Sequence, residues 1–79
     1  MKKYNNKSNI VGNLITEYRK KNDLSKTELC KKLQLHAVYI DITELKRIES
    51  GEMIVKDFEL IGFCKALEIN YDELKDLIE

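Results

Sequence analysis

From Ile10 onward the apolar residues of this chain fall into short, one-sided stripes separated by polar stops. Ile10, Val11, Leu14, Ile15 and Tyr18 recur at the three-to-four-residue spacing of an amphipathic helix, which Lys20, Lys21 and Asn22 close. Ser25-Lys26-Thr27-Glu28 is a capping box, with a hydroxyl at the helix entrance and a glutamate three residues on. Leu29, Cys30 and Leu33 then give a second, short helix. Gln34 to Ile40 carries no usable helical period and reads as a connection. Asp41-Ile42-Thr43-Glu44 is a second capping box, opening a third helix whose Leu45 and Ile48 face inward and which Ser50-Gly51 stops. Asp57 is expected to cap a fourth helix with Phe58, Ile61, Cys64, Leu67 and Leu60 inward, and Gly62 in its middle predicts a close helix contact. Asn70-Tyr71-Asp72-Glu73, a third capping box, opens a fifth helix with Leu74, Leu77 and Ile78. The pattern predicts an all-α fold: residues 9–79 form one compact five-helix domain, preceded by a loose basic arm over residues 1–8.

Composition supports helices. The chain has 79 residues, no proline and three glycines, so it is one small domain whose core has little to spare. At 35% charged residues it is a soluble composition, and no apolar run approaches the roughly 20 residues that cross a bilayer. The N-terminus MKKYNNKSN lacks the apolar segment of a signal peptide, so a cytoplasmic, nucleoid-associated protein is expected. The net charge is zero, yet it is unevenly spread. Residues 1–35 hold nine Lys/Arg against three acids, a balance of +6; residues 36–79 hold five against eleven, a balance of −6. A basic half of this kind suits a polyanionic partner.

Catalytic chemistry finds no foothold in the pattern. His36 is the single histidine, no Ser or Cys has a base at a telling spacing, and no glycine-rich phosphate loop is present. Cys30 and Cys64 stand alone among apolar neighbours and read as small core residues in a reducing compartment. No catalytic residue, metal site, cofactor or small-molecule substrate is expected. One position is odd: Glu49 ends the third helix, where the negative carbonyl end of the dipole disfavours an acid.

Two short capped helices, about 26–34 and 42–50, joined by a connection and flanked by helices that complete the core, read as a helix-turn-helix. The ordered set Ser25-x-x-Glu28-Leu29-Cys30-x-x-Leu33, Leu45-x-x-Ile48-Glu49-Ser50-Gly51, Asp57-x-Glu59-Leu60, Lys65-Ala66-Leu67 and Asp72-Glu73-Leu74 resembles the Cro/lambda-repressor-type helix-turn-helix family, also called the xenobiotic-response-element class. The resemblance runs from about Ile10 to Ile78, and the connection between the motif helices is about five residues longer than the family's usual turn. It implies a lambda-repressor-like domain that binds double-stranded DNA as a transcriptional regulator, in particular a repressor. It also implies that Glu49 pairs with Arg19, near the end of the first helix, in a structural ion pair.

On that reading Ile42, Thr43, Lys46 and Arg47 contact bases, and Lys26, Thr27, Lys31 and Lys21 contact phosphates. Ile42 either meets a thymine methyl group or packs against the connection; Val38 and Tyr39 either pack beneath the motif or form a lip beside the groove. Lys2, Lys3 and Lys7 either form a basic arm on DNA or are simply loose. Family members usually form homodimers, and Tyr71, Leu74 and Ile78 are interface candidates whose other role is core closure. The alternative function is a protein-interaction module that binds another regulator and not DNA, for which the acidic second half speaks.

Overall fold

The computed structural model describes residues 7–77, and within them the chain forms five helices and no sheet: α1 Gly12–Lys21, α2 Lys26–Gln34, α3 Ile42–Glu49, α4 Asp57–Leu67 and α5 Tyr71–Asp76. Lys2, Lys3 and Ile78 lie outside the described residues. α1 to α4 enclose one core. Leu14 and Ile15 of α1, Leu29 and Leu33 of α2, Leu45 and Ile48 of α3, and Phe63 and Leu67 of α4 are all buried. α5 buries no residue fully; Leu74 and Leu77 rest half-buried against the core edge.

Side chains start the helices. Ser25 Oγ accepts from the Glu28 N–H at 3.1 Å, and Glu28 Oε1 accepts from the Ser25 N–H at 2.8 Å. Asp41 and Glu44 exchange the same two bonds at 2.7 and 3.1 Å. α1 begins differently. Asn9 Oδ1 accepts from the N–H groups of Val11 and Gly12 at 3.1 and 2.8 Å, while its amide donates to the carbonyls of Ile48 and Met53 at 3.0 and 2.7 Å. One side chain thus caps α1 and ties it to the exit of α3.

The first four helices end alike. In each, one residue turns left-handed and the next folds its N–H back to the carbonyl five residues earlier, which satisfies orphan carbonyls. The left-handed residues are Asp23, Ala37, Gly51 and Glu68, with φ of 55°, 60°, 85° and 55°. The returning bonds are Leu24 N–H to Arg19 O, Val38 N–H to Leu33 O, Glu52 N–H to Arg47 O and Ile69 N–H to Cys64 O, at 3.0, 3.0, 2.8 and 3.0 Å. Gly51 takes this conformation freely, whereas the other three carry a Cβ against it.

Several details depart from the sequence expectations. α4 buries Glu59, Gly62, Phe63, Ala66 and Leu67, and leaves Phe58 and Ile61 exposed, a face one residue on from the expected one. The helix is apolar on nearly every side, so its pattern permits both registers. Contact with the connection decides between them, because Gly62 lies directly against Val38. Asp57 is the first helical residue and not the cap: Lys56 holds that place, its N–H bonded to Glu59 Oε1 at 2.9 Å. Asn70 caps α5 through the Asp72 N–H at 2.9 Å, but Glu73 leaves the box to accept the Tyr18 hydroxyl at 2.5 Å. Cys64 and Tyr18 are half-buried, Ile10 is at the surface, and Ser50 lies in the turn beyond α3. Ser8 donates its N–H to the Gly51 carbonyl at 2.7 Å, so the end of the 1–8 arm is held at the turn after α3.

Two glycines mark close approaches, Gly12 of α1 against the end of α3 and Gly62 of α4 against the connection and not, as expected, against a helix. A Cβ at Gly12 would lie 2.5 Å from the Ile48 carbonyl oxygen and 2.8 Å from that of Glu49. A Cβ at Gly62 would strike Val38 Cγ2, the end of a side chain. Gly12→Ala is expected to lower stability by about 2 kcal/mol or more, since backbone cannot yield. Gly62→Ala is expected to cost less, about 1 kcal/mol, because helix propensity returns part of the overpacking cost. Pairing it with Val38→Ala should remove the clash. Urea titrations followed by circular dichroism measure all three; a Gly12→Ala midpoint equal to that of the unaltered protein would refute the close contact.

Candidate nucleic-acid interface

α3 is fixed by its inner face and its last turn. Leu45 and Ile48 are fully buried, and Glu49 beside them is also buried. Arg19 Nε donates to Glu49 Oε2 at 2.8 Å and Arg19 Nη2 to Glu49 Oε1 at 3.2 Å, a two-bond fork on the carboxylate. The remaining Arg19 nitrogen, Nη1, donates to the Leu24 carbonyl at 2.8 Å, in the turn that closes α1. The Thr16 hydroxyl lies 3.0 Å from both Glu49 Oε1 and the Gly12 carbonyl, so its one proton can go to either acceptor. Arg19 and Glu49 are only 8% and 9% exposed, and no buried side-chain polar atom among the described residues lacks a partner. The acid at the carbonyl end of α3 is thereby accounted for. Its cation comes from another helix, in a geometry that a planar guanidinium fits and an ammonium does not.

The opposite face of α3 is open. Ile42, Thr43, Lys46 and Arg47 are all exposed. Positions 42, 43, 46 and 47 fall on one side of the helix, away from Leu45 and Ile48. At the entrance of α2, Lys26 is half-buried and Thr27 exposed, and Lys31 lies exposed farther along that helix. Lys21 sits apart from these. Its ammonium lies 5.3 Å from the centroid of the Tyr18 ring, and Tyr18 is bonded to Glu73 of α5, so Lys21 leans toward α5. The structure therefore groups seven of the eight proposed contact residues on α2 and α3 and leaves Lys21 with α1 and α5.

Charge on the motif is arranged with care. Between Lys26 and Arg47 there are five cations, Lys26, Lys31, Lys32, Lys46 and Arg47, and three acids, Glu28, Asp41 and Glu44. Each acid holds its carboxylate on a helix-entrance N–H. The Ser25 N–H and hydroxyl keep the Glu28 carboxyl below its usual range. That cap contribution is therefore present above the ordinary carboxylate range and lost as pH falls through the lowered value. Among the described residues the ion pair present is Arg19–Glu49, and none of the five motif cations is paired with a carboxylate.

Burial raises the Cys30 thiol pKa, with Asp41, Glu44 and Glu49 adding to the effect, and burial raises that of Cys64, so both stay protonated near neutrality. Both are free, and no cluster of three His, Cys, Asp or Glu among the described residues is placed to hold a metal ion. No helix among the described residues is long and apolar enough to cross a membrane.

Compared with known proteins, the chain matches no family model, no curated protein and no solved structure.

Sequence reasoning missed Asn9, Thr16 and Gly12, which complete the support of α3. Thr16 lies three residues before Arg19 and four after Gly12, on one stripe of α1, a spacing that was available to be read. Asn9 is a capping residue type directly before an apolar stripe, a signal masked by the polar residues around it.

The Arg19–Glu49 fork is buried deeply enough to carry real energy. Arg19→Met is expected to cost about 3–5 kcal/mol, because it strands a buried carboxylate. Arg19→Lys should cost less but remain clearly destabilising, since it keeps charge and loses the fork. Arg19→Met combined with Glu49→Leu should recover most of the loss. Urea denaturation at pH 7 reads each value; a loss under about 1 kcal/mol for Arg19→Met would reduce the pair to an ordinary surface contact.

Proposed function

We propose that this chain is a sequence-specific double-stranded DNA-binding transcriptional regulator, acting as a repressor by occupying its site. The observation that carries the reading is the motif itself: an exposed face on α3, flanked by five cations that pair with no carboxylate among the described residues and three acids turned onto helix entrances. A duplex presents one negative charge per roughly 1.7 Å of axis, and unpaired Lys and Arg at a helix-turn-helix are what neutralises it. Lys26, Thr27 and Lys31 would hold phosphates, with the N-terminus of α2 adding its dipole, while Ile42, Thr43, Lys46 and Arg47 would face base edges. The resemblance to Cro/lambda-repressor-type proteins agrees with this assignment and adds the expectation of a nucleoid location.

A homodimer follows from size. One eight-residue helix covers few base pairs, and two copies on paired half-sites one helical turn apart would double the reading. An apolar groove between α4 and α5, lined by Leu60, Ile61, Cys64, Ile69, Tyr71 and Leu74, supplies a surface for the second copy. The same groove supports a second reading, in which the fold binds another regulator and not DNA. The acidic half of the chain contains this groove, and a basic partner would fit its surroundings.

DNA titration separates the two. Over a rise from about 50 to 200 mM salt, release of about two counterions per protomer, about four for the homodimer, should weaken binding to duplex DNA by about 10²-fold. Flat affinity over that range would leave the interaction-module reading. Lys26→Ala should weaken binding to all duplexes alike and reduce the salt slope by about one. Lys46→Ala and Arg47→Ala should instead each cost about 1–3 kcal/mol on duplexes selected from a random pool and less on unselected DNA. Equal losses on both would move these two residues to the phosphate class.

A further inference from the structure

The connection between α2 and α3 has an inside and an outside. Ala37, left-handed at the end of α2, returns the Val38 N–H to the Leu33 carbonyl at 3.0 Å and turns the Val38 side chain into the core, against Gly62. From there to Ile40 burial alternates from one residue to the next. Val38 and Ile40 are buried at 1% and 6% exposure, which leaves Tyr39 between them 75% exposed. Two anchors and a helix cap on either side hold this aromatic ring outward, so its exposure belongs to an ordered segment. Ile42, the first residue of α3, is exposed three positions later, and Leu35 is exposed where α2 ends. An apolar lip thus borders the entrance of the helix that carries Thr43 and Lys46.

We propose that Tyr39 and Ile42, with Leu35 at the outer edge, read the C5-methyl groups of thymines in the major groove, so that the site is A·T-bearing at the position they meet. The inference rests on the DNA-binding reading above and deepens it. Charge favours a nucleic acid over a protein as the occupant. From Leu29 to Ile40 the chain holds Lys31, Lys32 and His36 and no acid, and the nearest acids after it, Asp41 and Glu44, are bound to each other's N–H groups. Extent favours it too. Three separate side chains fall far short of the roughly 800 Å² per partner of a stable protein interface, but each is the size of contact that a thymine methyl offers. Among the hydrogen bonds of the described residues the Tyr39 hydroxyl makes none, so the ring is free to be used for its apolar edge.

The experiment uses the full chain and duplexes selected by it from a 20-base-pair randomised library. Each thymine of a selected duplex is replaced in turn by deoxyuridine, which removes one methyl group and nothing else. The unaltered protein should lose about 3–10-fold in affinity at one or two thymines. Tyr39→Ala should lose a similar factor on the thymine duplex and no longer distinguish deoxyuridine at that position, with the salt slope unchanged. Tyr39→Phe should bind as the unaltered protein does. Because the Tyr39 side chain is exposed, the urea midpoint of both variants should stay close to that of the unaltered protein, which separates binding from folding. Steep, salt-dependent binding that Tyr39→Ala leaves intact would overturn the lip and spare the DNA-binding reading. A Tyr39→Phe loss equal to that of Tyr39→Ala would overturn methyl reading in favour of the hydroxyl. Failure of the unaltered protein to bind any duplex would overturn both.

Discussion

A buried guanidinium gripping a buried carboxylate decides where α3 can lie. Arg19 spends all three of its nitrogens, two on Glu49 and one on the carbonyl of Leu24, so it joins the last turn of α3 to the closing turn of α1. Around it the contacts accumulate on the same end of α3. Gly12 allows α1 to touch the Ile48 and Glu49 carbonyls, Thr16 reaches Glu49, and the Asn9 amide holds the Ile48 and Met53 carbonyls. A buried ion pair is weak support for stability in general, because desolvation offsets most of its attraction. Its use here is geometric. A fork with fixed spacing sets the angle of a helix more sharply than apolar packing, which tolerates exchange of one side chain for another of similar volume. The far end of α3 is left to its own capping box and is free on its outer face.

Legibility in the sequence tracked the reach of the interaction that fixes each feature. The entrances of α2 and α3 were readable because Ser25 with Glu28, and Asp41 with Glu44, satisfy each other within four residues. The inward pair Leu45 and Ile48 was readable because α3 has one apolar face and a polar remainder. α4 was misread by one position because Phe58, Ile61 and Leu60 are as apolar as Phe63, Ala66 and Leu67, and the choice between faces is made by Val38, more than twenty residues away. The fate of Glu73 was hidden for the same reason. Its partner, the Tyr18 hydroxyl, comes from the other end of the chain, and the bond to Glu73 raises the Tyr18 pKa above its ordinary value.

Helix exits were the least legible feature. Gly51 announced one of them. Asp23, Ala37 and Glu68 perform the same left-handed turn without the glycine that usually marks it, at a cost of about 1–2 kcal/mol each relative to a relaxed backbone. Ala37 in particular concealed that the first half of the 34–40 connection is the orderly close of α2. The sequence therefore reads as a seven-residue gap, while the structure contains a capped helix end followed by three residues of alternating burial. The same misreading blurred Val38 and Tyr39, which looked like two residues of one kind and have opposite fates.

That closing turn links the parts of the molecule that face the proposed ligand to parts that do not. Val38 is held by Leu33 on one side and by Gly62 of α4 on the other, and its position dictates that Tyr39 faces out. The register of α4, the direction of the connection and the presentation of the lip are then one packing decision. α3 is positioned by α2, through the shared core, and by α1, through Arg19 and Glu49. Val38 adds an indirect link, tying α4 to the connection that leads into the capping box of α3. With α3 held in this way, its exposed face can present Thr43 and Lys46 in a fixed arrangement, and preorganisation of that kind lets a small domain spend little of its binding energy on ordering itself.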